Sequence, residues 1–256
     1  MENRLPDFEN LYNTRDLGGM PAFGGRSIRA GMLIRSGYLL RAAENDLAAI
    51  TDAVSDVVDL RTDREADERP DPPLAGVTFH RLPVLPSLTP GITHEKGADR
   101  LMLDRMIADR SGEAAKEYMC ALYRGFVTGP FCRRQYAAFV RLLLRERPRA
   151  LLWHCTAGKD RAGFAAMIAE KLLGVADDVI RADYLETNDR LDPEIRAQLA
   201  AADAPVALPW LFTAREEYYD ALTEALRQAG GFESYLREGL GVTEEMHRRL
   251  RERYLE

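Results

Sequence analysis

The chain has 256 residues, 46% of them hydrophobic and 30% charged, as expected of a globular protein with a full core. Its net charge of −6 gives no general attraction to nucleic acid or to an anionic membrane, so an anionic substrate would need a local positive site. The first residues lack a secretory-signal pattern and no apolar stretch approaches the length of a membrane span, so we predict a cytoplasmic protein without stable membrane insertion.

The first third of the chain favours strands separated by turns and one helix. The run "GMLIRSG" is typical of a short strand, and "ENDLAAITDAV" of a helix capped by Asn45 or Asp46. The apolar runs "VSDVVDLRT" and "VTFHRLPV" predict two further strands. Residues 84–112 begin with prolines and glycines, and we expect either a lid or insertion there or a segment of the core.

The rest of the chain is predicted to be largely helical. Two helices, at about 113–127 and 131–146, precede the strand "ALLWHC", and another begins near Asp160. In the C-terminal third, Thr213 and Glu216 form a capping-box pattern. This order predicts an α/β fold with a mostly parallel central sheet flanked by helices and a helical C-terminal third, in a single domain over residues 1–256.

The segment "LLWHCTAGKDRAG", residues 151–163, has the pattern of a phosphate-binding loop. A loop between a strand ending at His154 and a helix starting near Asp160 lies at a helix N-terminus, which favours an anion. Arg161 has the planar fork that binds two phosphate oxygens, and the positive field favours the thiolate of Cys155. A thiolate held under a phosphate attacks phosphorus and forms a phosphocysteine. We therefore predict a phosphate-binding site made of Cys155, Thr156, Ala157, Gly158, Lys159, Asp160 and Arg161.

Other interpretations of these residues are weaker. Cys120 and Cys132 have no arginine six positions later and are typical of buried thiols on helices. The loop is not a nucleotide-binding Walker A motif, because Asp160 follows Lys159. Four dispersed histidines and no Cys-x2-Cys pair favour neither a metal nor another cofactor, so His154 is expected to brace the loop by hydrogen bonding.

With these residues in view, the sequence resembles the cysteine-dependent protein-tyrosine-phosphatase superfamily. More narrowly, it is similar to the atypical bacterial tyrosine/lipid phosphatases whose loop reads His-Cys-x-Ala-Gly-Lys-Asp-Arg. The stretches "NTRDLGG", "RSGYL", "VVDLRTDRE" and "DYLETN" and the final 25 residues support this resemblance. Only residues 84–112 and about 189–213 do not follow the pattern of this family.

The resemblance implies a metal-independent phosphomonoester hydrolase, first of all a protein-tyrosine phosphatase. Phosphoserine, phosphothreonine and phosphoinositides are further implied substrates, so the expected partners are a phosphorylated protein or a phosphoinositide, with inorganic phosphate as product. Cys155 would be the nucleophile, and Arg161 would bind phosphate together with the amides of residues 156–161. Lys159 would add positive charge. Arg15 and Asp16 either brace the site or form a plain turn.

The general acid stays open at this point. The superfamily's movable Trp-Pro-Asp loop is missing, and the candidates are Asp59, Asp63 and Asp160. Asp59 follows a predicted strand, where parallel sheets place their sites, and Asp160 lies in the loop itself, where it could also serve only as a helix cap. Asp59 and Asp160 are the two we favour for proton transfer.

Ala162 departs from the family, which has Ser or Thr directly after the loop arginine. That hydroxyl helps to stabilise the cysteine thiolate as it leaves, and Thr156 is a candidate replacement from another direction. Without a replacement, the phosphoenzyme is expected to break down slowly and to give a burst. The alternative function is therefore a weak or inactive pseudophosphatase that binds phosphate or a phosphoprotein. A rhodanese-like sulfur carrier is disfavoured by the full set of phosphatase-like stretches.

Overall fold

The computed structural model describes residues 8–86 and 100–256, and its centre is a five-stranded sheet. The strands are β1 (Arg15–Asp16), β2 (Leu33–Ser36), β3 (Val54–Asp59), β4 (Thr78–Arg81) and β5 (Ala150–His154). Their order is β1-β2-β5-β3-β4, and only the pairing of β1 with β2 is antiparallel. The mostly parallel sheet predicted from the sequence is confirmed, and the carboxyl ends of its parallel strands share one edge.

Helices surround this sheet and make up most of the C-terminal half. In chain order they are α1 (Glu44–Ala53), α2 (Asp63–Glu68), α3 (Arg100–Ala108), α4 (Glu113–Thr128), α5 (Pro130–Leu143), α6 (Arg161–Leu173), α7 (Asp177–Glu186), α8 (Pro193–Ala200), α9 (Ala207–Phe212), α10 (Glu216–Gln228), α11 (Phe232–Ser234) and α12 (Glu244–Tyr254). The α/β class and the helical C-terminal third are confirmed. Among the described residues, no helix has the length and hydropathy needed to cross a bilayer.

The two faces of the sheet contact two separate apolar cores. Side chains alternate along a strand, so Leu151 and Trp153 of β5 face the larger core and Leu152 faces the smaller one. Residues of α4, α5, α6, α10 and α12 fill the larger core, whereas α1 contributes Ile50 to the smaller. Strand β5 is therefore buried on both faces and between two neighbouring strands, and the segment that follows it starts from a fixed position.

Helix α6 is buried on almost every side. Of its thirteen residues only Lys171 is partly exposed, so the predicted buried face with Phe164, Ile168 and Leu172 extends around the helix. The helix ends at Gly174, which has a φ of +78° and allows the left-handed turn that closes many helices. Its N-terminus therefore has little freedom to move relative to β5.

Two predicted helix caps are wrong in detail. Asn45 and Asp46 lie inside α1 instead of before it, because Asp46 reaches back to accept the amide of Ala43 at 3.0 Å. Thr213 does not cap α10, because its hydroxyl donates to the carbonyl of Pro209 at 2.6 Å. Helix α10 begins only after Arg215.

The segment 84–112 is described only in part. Residues 87–99 lie outside the described ranges, and residues 100–108 form α3. Val84, Leu85 and Met106 are buried in the larger core, so the described parts of the segment contribute to core packing. A lid over the site and a single domain over the whole chain both stay predictions.

Candidate active site

The loop between β5 and α6 lies at the carboxyl edge of the sheet and begins with Cys155, which is 1% exposed. Within the described ranges, the backbone amides of Thr156, Ala157, Gly158 and Lys159 donate to no group of the protein. These four amides directly precede the first turn of α6, where the helix dipole adds partial positive charge. Unpaired amides at a helix N-terminus form a site for an anion.

Gly158 allows the loop to lie directly against the end of β2. Its φ is +69°, which favours glycine, and a Cβ at this position would lie 2.7 Å from the carbonyl oxygen of Ser36. Any larger residue would have to push the loop away from β2. The glycine is therefore required by both backbone conformation and space.

Arg161 is fixed by a buried carboxylate that the sequence analysis missed. Its Nη1 lies 2.6 Å from Oε2 of Glu65 and its Nη2 lies 3.2 Å from Oε1, a two-point contact between side chains that are almost fully buried. Burial alone would raise the pKa of Glu65, but the charge and hydrogen bonds of Arg161 lower it to about 2. Glu65 is therefore ionised and holds the guanidinium at the start of α6.

Helix α2 places Glu65 through a capping box. The amide of Thr62 donates to Oε2 of Glu65 at 2.9 Å, and the amide of Glu65 donates to Oγ1 of Thr62 at 3.1 Å. This Thr-x-x-Glu pattern is visible in "VVDLRTDRE", but it predicts only a helix start. Nothing in it indicates an arginine 96 residues later.

The hydroxyl of Thr156 is engaged by the same pair. It donates to Oε1 of Glu65 at 2.7 Å and accepts from Nη2 of Arg161 at 3.2 Å. Because its single proton goes to Glu65, Thr156 does not replace the hydroxyl that Ala162 lacks. The interpretation of Thr156 as that replacement is therefore not supported.

His154 braces the loop from below, as predicted. Its Nδ1 lies 3.2 Å from the carbonyl oxygen of Cys155, and its Nε2 lies 3.2 Å from Asp71. Burial lowers the pKa of His154, but Asp71 and Asp59 outweigh that effect and raise it above its usual value. The two carboxylates therefore favour the charged form of the ring, which contacts the loop carbonyl on one side and Asp71 on the other.

The sequence profile of the tyrosine phosphatase family matches residues 6–256. The chain belongs to this family. A Cupriavidus necator protein is 35% identical over 241 residues, which cover 92% of this chain and 84% of the relative. The name of that protein describes it as a predicted tyrosine-protein phosphatase. The triple specificity protein phosphatase PtpB of Mycobacterium tuberculosis is 37% identical over 160 residues, or 57% of this chain and 56% of that protein.

Asp160 of this tyrosine phosphatase family member does not act as a plain helix cap. It occupies the N-cap position of α6, but its side chain accepts no capping hydrogen bond there. Instead, its Oδ1 accepts the hydroxyl of Tyr123 at 2.6 Å, and Tyr184 in turn donates to Tyr123 at 3.0 Å. A buried carboxyl of the loop is thus oriented by a tyrosine of α4.

The ammonium group of Lys159 is turned into the protein. Its Nζ donates to the carbonyls of Leu211 and Thr213 at 2.7 and 3.3 Å, and lies 3.4 Å from Asp160. Burial lowers its pKa, although Asp160 opposes that effect. The side chain therefore holds the end of α9 and the residue after that helix, and a role for its charge in phosphate binding stays a prediction.

Asp59 is held by an arginine two residues further along the chain. Its two oxygens accept Nε and Nη2 of Arg61 at 2.9 and 2.7 Å, and Nη2 also donates to Asp71 at 2.7 Å. Burial would raise the pKa of Asp59, but His154 and Arg61 lower it below its usual value. The third candidate, Asp63, is exposed at the first residue of α2.

Asp59, Asp71 and His154 are also the group that comes nearest to a metal site in the described ranges. One ligand atom from each lies within 4.8 Å of the others. The guanidinium of Arg61 bonds both carboxylates and supplies the positive charge that such a cluster requires. The donor set therefore fits an ion-pair network better than a metal.

Proposed function

We propose that this protein is a metal-independent phosphomonoester hydrolase that acts first of all on phosphotyrosine, through a phosphocysteine at Cys155. One observation carries the proposal. A buried cysteine is followed by four amides that donate to no group in the part of the chain that the structure describes, and then by Arg161, which Glu65 holds. That arrangement supplies a nucleophile, donors for the equatorial phosphate oxygens and a fixed positive charge.

The reaction has two steps. The Cys155 thiolate attacks phosphorus while the bond to the leaving oxygen breaks, and that oxygen takes a proton from Asp160. A water molecule then attacks the phosphocysteine and gives its proton to the Asp160 carboxylate, which releases inorganic phosphate and restores the thiolate. The loop amides and Arg161 balance the phosphate charge in both steps.

Asp160 is the better of the two candidates for the general acid. It lies in the loop, and the hydroxyl of Tyr123 orients it. Asp59 is held as a carboxylate by two hydrogen bonds from Arg61, so a proton on it would cost that ion pair. Its role in this proposal is to support His154 under the loop.

The substrate range is proposed more broadly than phosphotyrosine. The name of the Mycobacterium tuberculosis relative specifies triple specificity, and by analogy we include phosphoserine, phosphothreonine and phosphoinositides as secondary substrates. The Lys159 side chain does not support phosphoinositide binding directly, because its hydrogen bonds go to backbone carbonyls. The proposed physiological partner is a phosphorylated cytoplasmic protein.

The first test is hydrolysis of para-nitrophenyl phosphate in the presence of a chelator, by the wild type and by Cys155→Ser. We expect steady turnover that survives the chelator and is lost in the variant, because the serine hydroxyl is not ionised at neutral pH. Turnover that requires a metal, or that persists in Cys155→Ser, would contradict the mechanism.

A pseudophosphatase is the second candidate, and Ala162 favours it. Its side chain offers no hydroxyl, and Thr156, the candidate replacement, is bonded to Glu65. In the same experiment, a burst followed by very slow turnover would indicate a trapped phosphoenzyme. Faster steady turnover in Ala162→Thr would then assign the defect to this residue.

A further inference from the structure

Four consecutive carbonyl groups of the loop are each bonded to a donor on the outer side. The carbonyl of Cys155 contacts His154 Nδ1 at 3.2 Å, that of Thr156 accepts from the amide of Tyr38 at 3.1 Å, that of Ala157 from Nδ2 of Asn13 at 3.0 Å, and that of Gly158 from Nη2 of Arg35 at 2.9 Å. We call these four donors the carbonyl clamp.

The clamp determines where the loop amides point. In a trans peptide, the carbonyl of one residue and the amide of the next point in opposite directions. Holding the carbonyls of residues 155–158 outward therefore turns the amides of residues 156–159 to the other side. Those are the four amides that donate to no group of the protein in the described ranges. A flipped peptide would present an oxygen to the bound anion and replace attraction by repulsion.

We propose that Asn13 and Arg35 are positioning residues that keep the loop amides directed at the substrate phosphate. This inference rests on the proposed function, which takes the loop as the phosphate site. Both residues act through the backbone of the loop and not by contact with the substrate. They are the two side chains of the clamp that come from outside the strand-loop-helix segment.

Asn13 is held in a single orientation. Its φ is +54°, a left-handed conformation that asparagine tolerates better than most residues. Its Oδ1 accepts from Nη1 of Arg15 at 2.5 Å, which leaves Nδ2 to donate to Ala157. Its own amide donates to the carbonyl of Arg190 at 3.1 Å. The side-chain amide therefore cannot rotate without losing a contact at each end.

Arg35 is fully buried and is held by Asp183 of α7. Its Nη1 donates to Oδ2 of Asp183, and its Nη2 is left for the carbonyl of Gly158. Asp183 also accepts Nε of Arg15 on its Oδ1 at 2.7 Å. One carboxylate thus pairs with both arginines and orients them.

The clamp assigns a role to three stretches that carried the family resemblance. "NTRDLGG" supplies Asn13 and Arg15, "RSGYL" supplies Arg35 and the amide of Tyr38, and "DYLETN" supplies Asp183. Arg15 and Asp16 of the first stretch were expected either to brace the site or to form a plain turn. Arg15 braces the site through Asp183. Asp16 accepts the amide of Gly18 at 3.0 Å, as the turn interpretation expects.

Asn13→Gly tests the clamp with little backbone strain, because glycine accepts the left-handed conformation. It deletes the donor to Ala157. We expect inorganic phosphate to bind about 10-fold more weakly by isothermal titration calorimetry, and kcat/KM for para-nitrophenyl phosphate to fall about 10- to 100-fold. Part of this decrease should appear in kcat, because the loop amides act on the charge that develops in the transition state.

Thr14→Val is the matched control. Thr14 is the next residue and is buried, and its hydroxyl lies 2.6 Å from that of Ser36, but it touches no loop carbonyl. The control should lose stability yet keep phosphate affinity and kcat within about twofold, a margin below the effect of removing one anion donor. Arg35→Lys provides a second probe, because one ammonium group cannot reproduce the fork between Asp183 and Gly158, so we expect a larger loss than in Asn13→Gly.

The outcomes separate the clamp from the hydrolase proposal. If Asn13→Gly and Arg35→Lys fold and match Thr14→Val in phosphate affinity and kcat, the clamp is overturned whatever the wild type hydrolyses. If the wild type shows no turnover that depends on Cys155, but Asn13→Gly still weakens phosphate binding, the clamp stands and the hydrolase proposal fails. A folded wild type that does not bind phosphate overturns both.

Discussion

Asp160 and Asp59 are both buried carboxylates near the loop, yet their neighbours differ. Asp160 accepts a tyrosine hydroxyl at 2.6 Å and lies 3.4 Å from the Lys159 ammonium, whereas Asp59 accepts two hydrogen bonds from a guanidinium. Those two hydrogen bonds favour the carboxylate form of Asp59. Residue type and spacing alone leave both as candidates, and only the partners distinguish them.

Asp160→Asn should therefore lose more activity on a poor leaving group than on a good one. We expect kcat for phenyl phosphate to fall at least about 10-fold further than kcat for para-nitrophenyl phosphate, because only the poorer leaving group depends on the proton. Asp59→Asn serves as the matched control and should lower both rates by the same factor. Equal losses on the two substrates in Asp160→Asn would remove it from the role of general acid.

At the residue scale, the sequence predicts those site residues that lie close together along the chain. Cys155, Gly158 and Arg161 lie within seven residues between a strand signal and a helix signal, so their joint role is visible without a fold. Glu65 and Asp183 are distant in the sequence and, as buried acids, carry no signal of their own. Their importance comes from arginines that only the folded chain brings to them.

Helix α2 has only six residues, yet its Glu65 contacts the loop that follows β5. Glu65 closes its capping box and also holds Arg161, so one carboxylate stabilises both the helix start and the loop arginine. Its pKa falls from 4.5 to about 2, which corresponds to roughly 3 kcal/mol of stability at neutral pH. This contribution is present above about pH 4.5 and is lost as the pH falls through 2.

Glu65→Gln should reduce kcat/KM by about 100-fold, because Arg161 loses its anchor. Its free energy of unfolding should lie below that of the wild type at pH 7, and the gap should narrow as the pH falls from 4.5 towards 2, where the wild-type carboxylate also becomes neutral. Denaturant titrations at several pH values measure this gap. Glu68→Gln, on the same helix, should change stability by less than about 1 kcal/mol. A difference in the free energy of unfolding that stays constant with pH would contradict the ion pair between Glu65 and Arg161 as its source.

At the element scale, the sequence predicts four of the five strands and the long helices, but not β1, α8 or α9. The strong apolar runs and the helix periodicity of α4, α5 and α6 override local ambiguity. Helices α8 and α9 have eight and six residues and lie in the stretch that does not follow the pattern of the family. Their position depends on tertiary contacts, such as the hydrogen bond from Lys159 to Leu211 at the end of α9, which local propensity does not encode.

The whole molecule is organised around β5, which has an apolar core on each face and ends at His154. Asp59 and Arg61 near the end of β3, Asp71 in the following loop and His154 form one buried network across the centre of the sheet. A histidine whose pKa is raised on folding contributes stability that is complete below its unfolded value of about 6.5. The contribution is lost as the pH rises through the folded value.

The free energy of unfolding of His154→Gln should therefore differ most from that of the protein with His154 at low pH. We would compare both in a Cys155→Ser background and measure the free energy of unfolding from pH 6 to pH 9. The stability gap should shrink as the pH rises, because the imidazolium loses its charge between Asp59 and Asp71. A gap that widens with pH would show that the ring is neutral in the folded protein.

At this largest scale, the alternation of strands and helices predicts the α/β class and the parallel sheet. The same pattern cannot give the strand order, because that depends on which edges pack against the helices. It also cannot show that residues 13, 35 and 183 meet at one loop. The chain separations of their contacts are 144 residues from Asn13 to Ala157, 123 from Arg35 to Gly158 and 148 from Arg35 to Asp183.

The order of the clamp along the chain has a consequence for synthesis on the ribosome. A nascent chain that has emerged only as far as α6 already carries the thiol, the loop and Arg161, but it lacks Asp183 and the carbonyls that Lys159 binds. Asp183 therefore does not yet hold Arg35 and Arg15 in that chain. Cys155 and its loop are therefore made before the carboxylate that holds Arg35, and under the proposed function a growing chain does not yet carry the complete phosphate site.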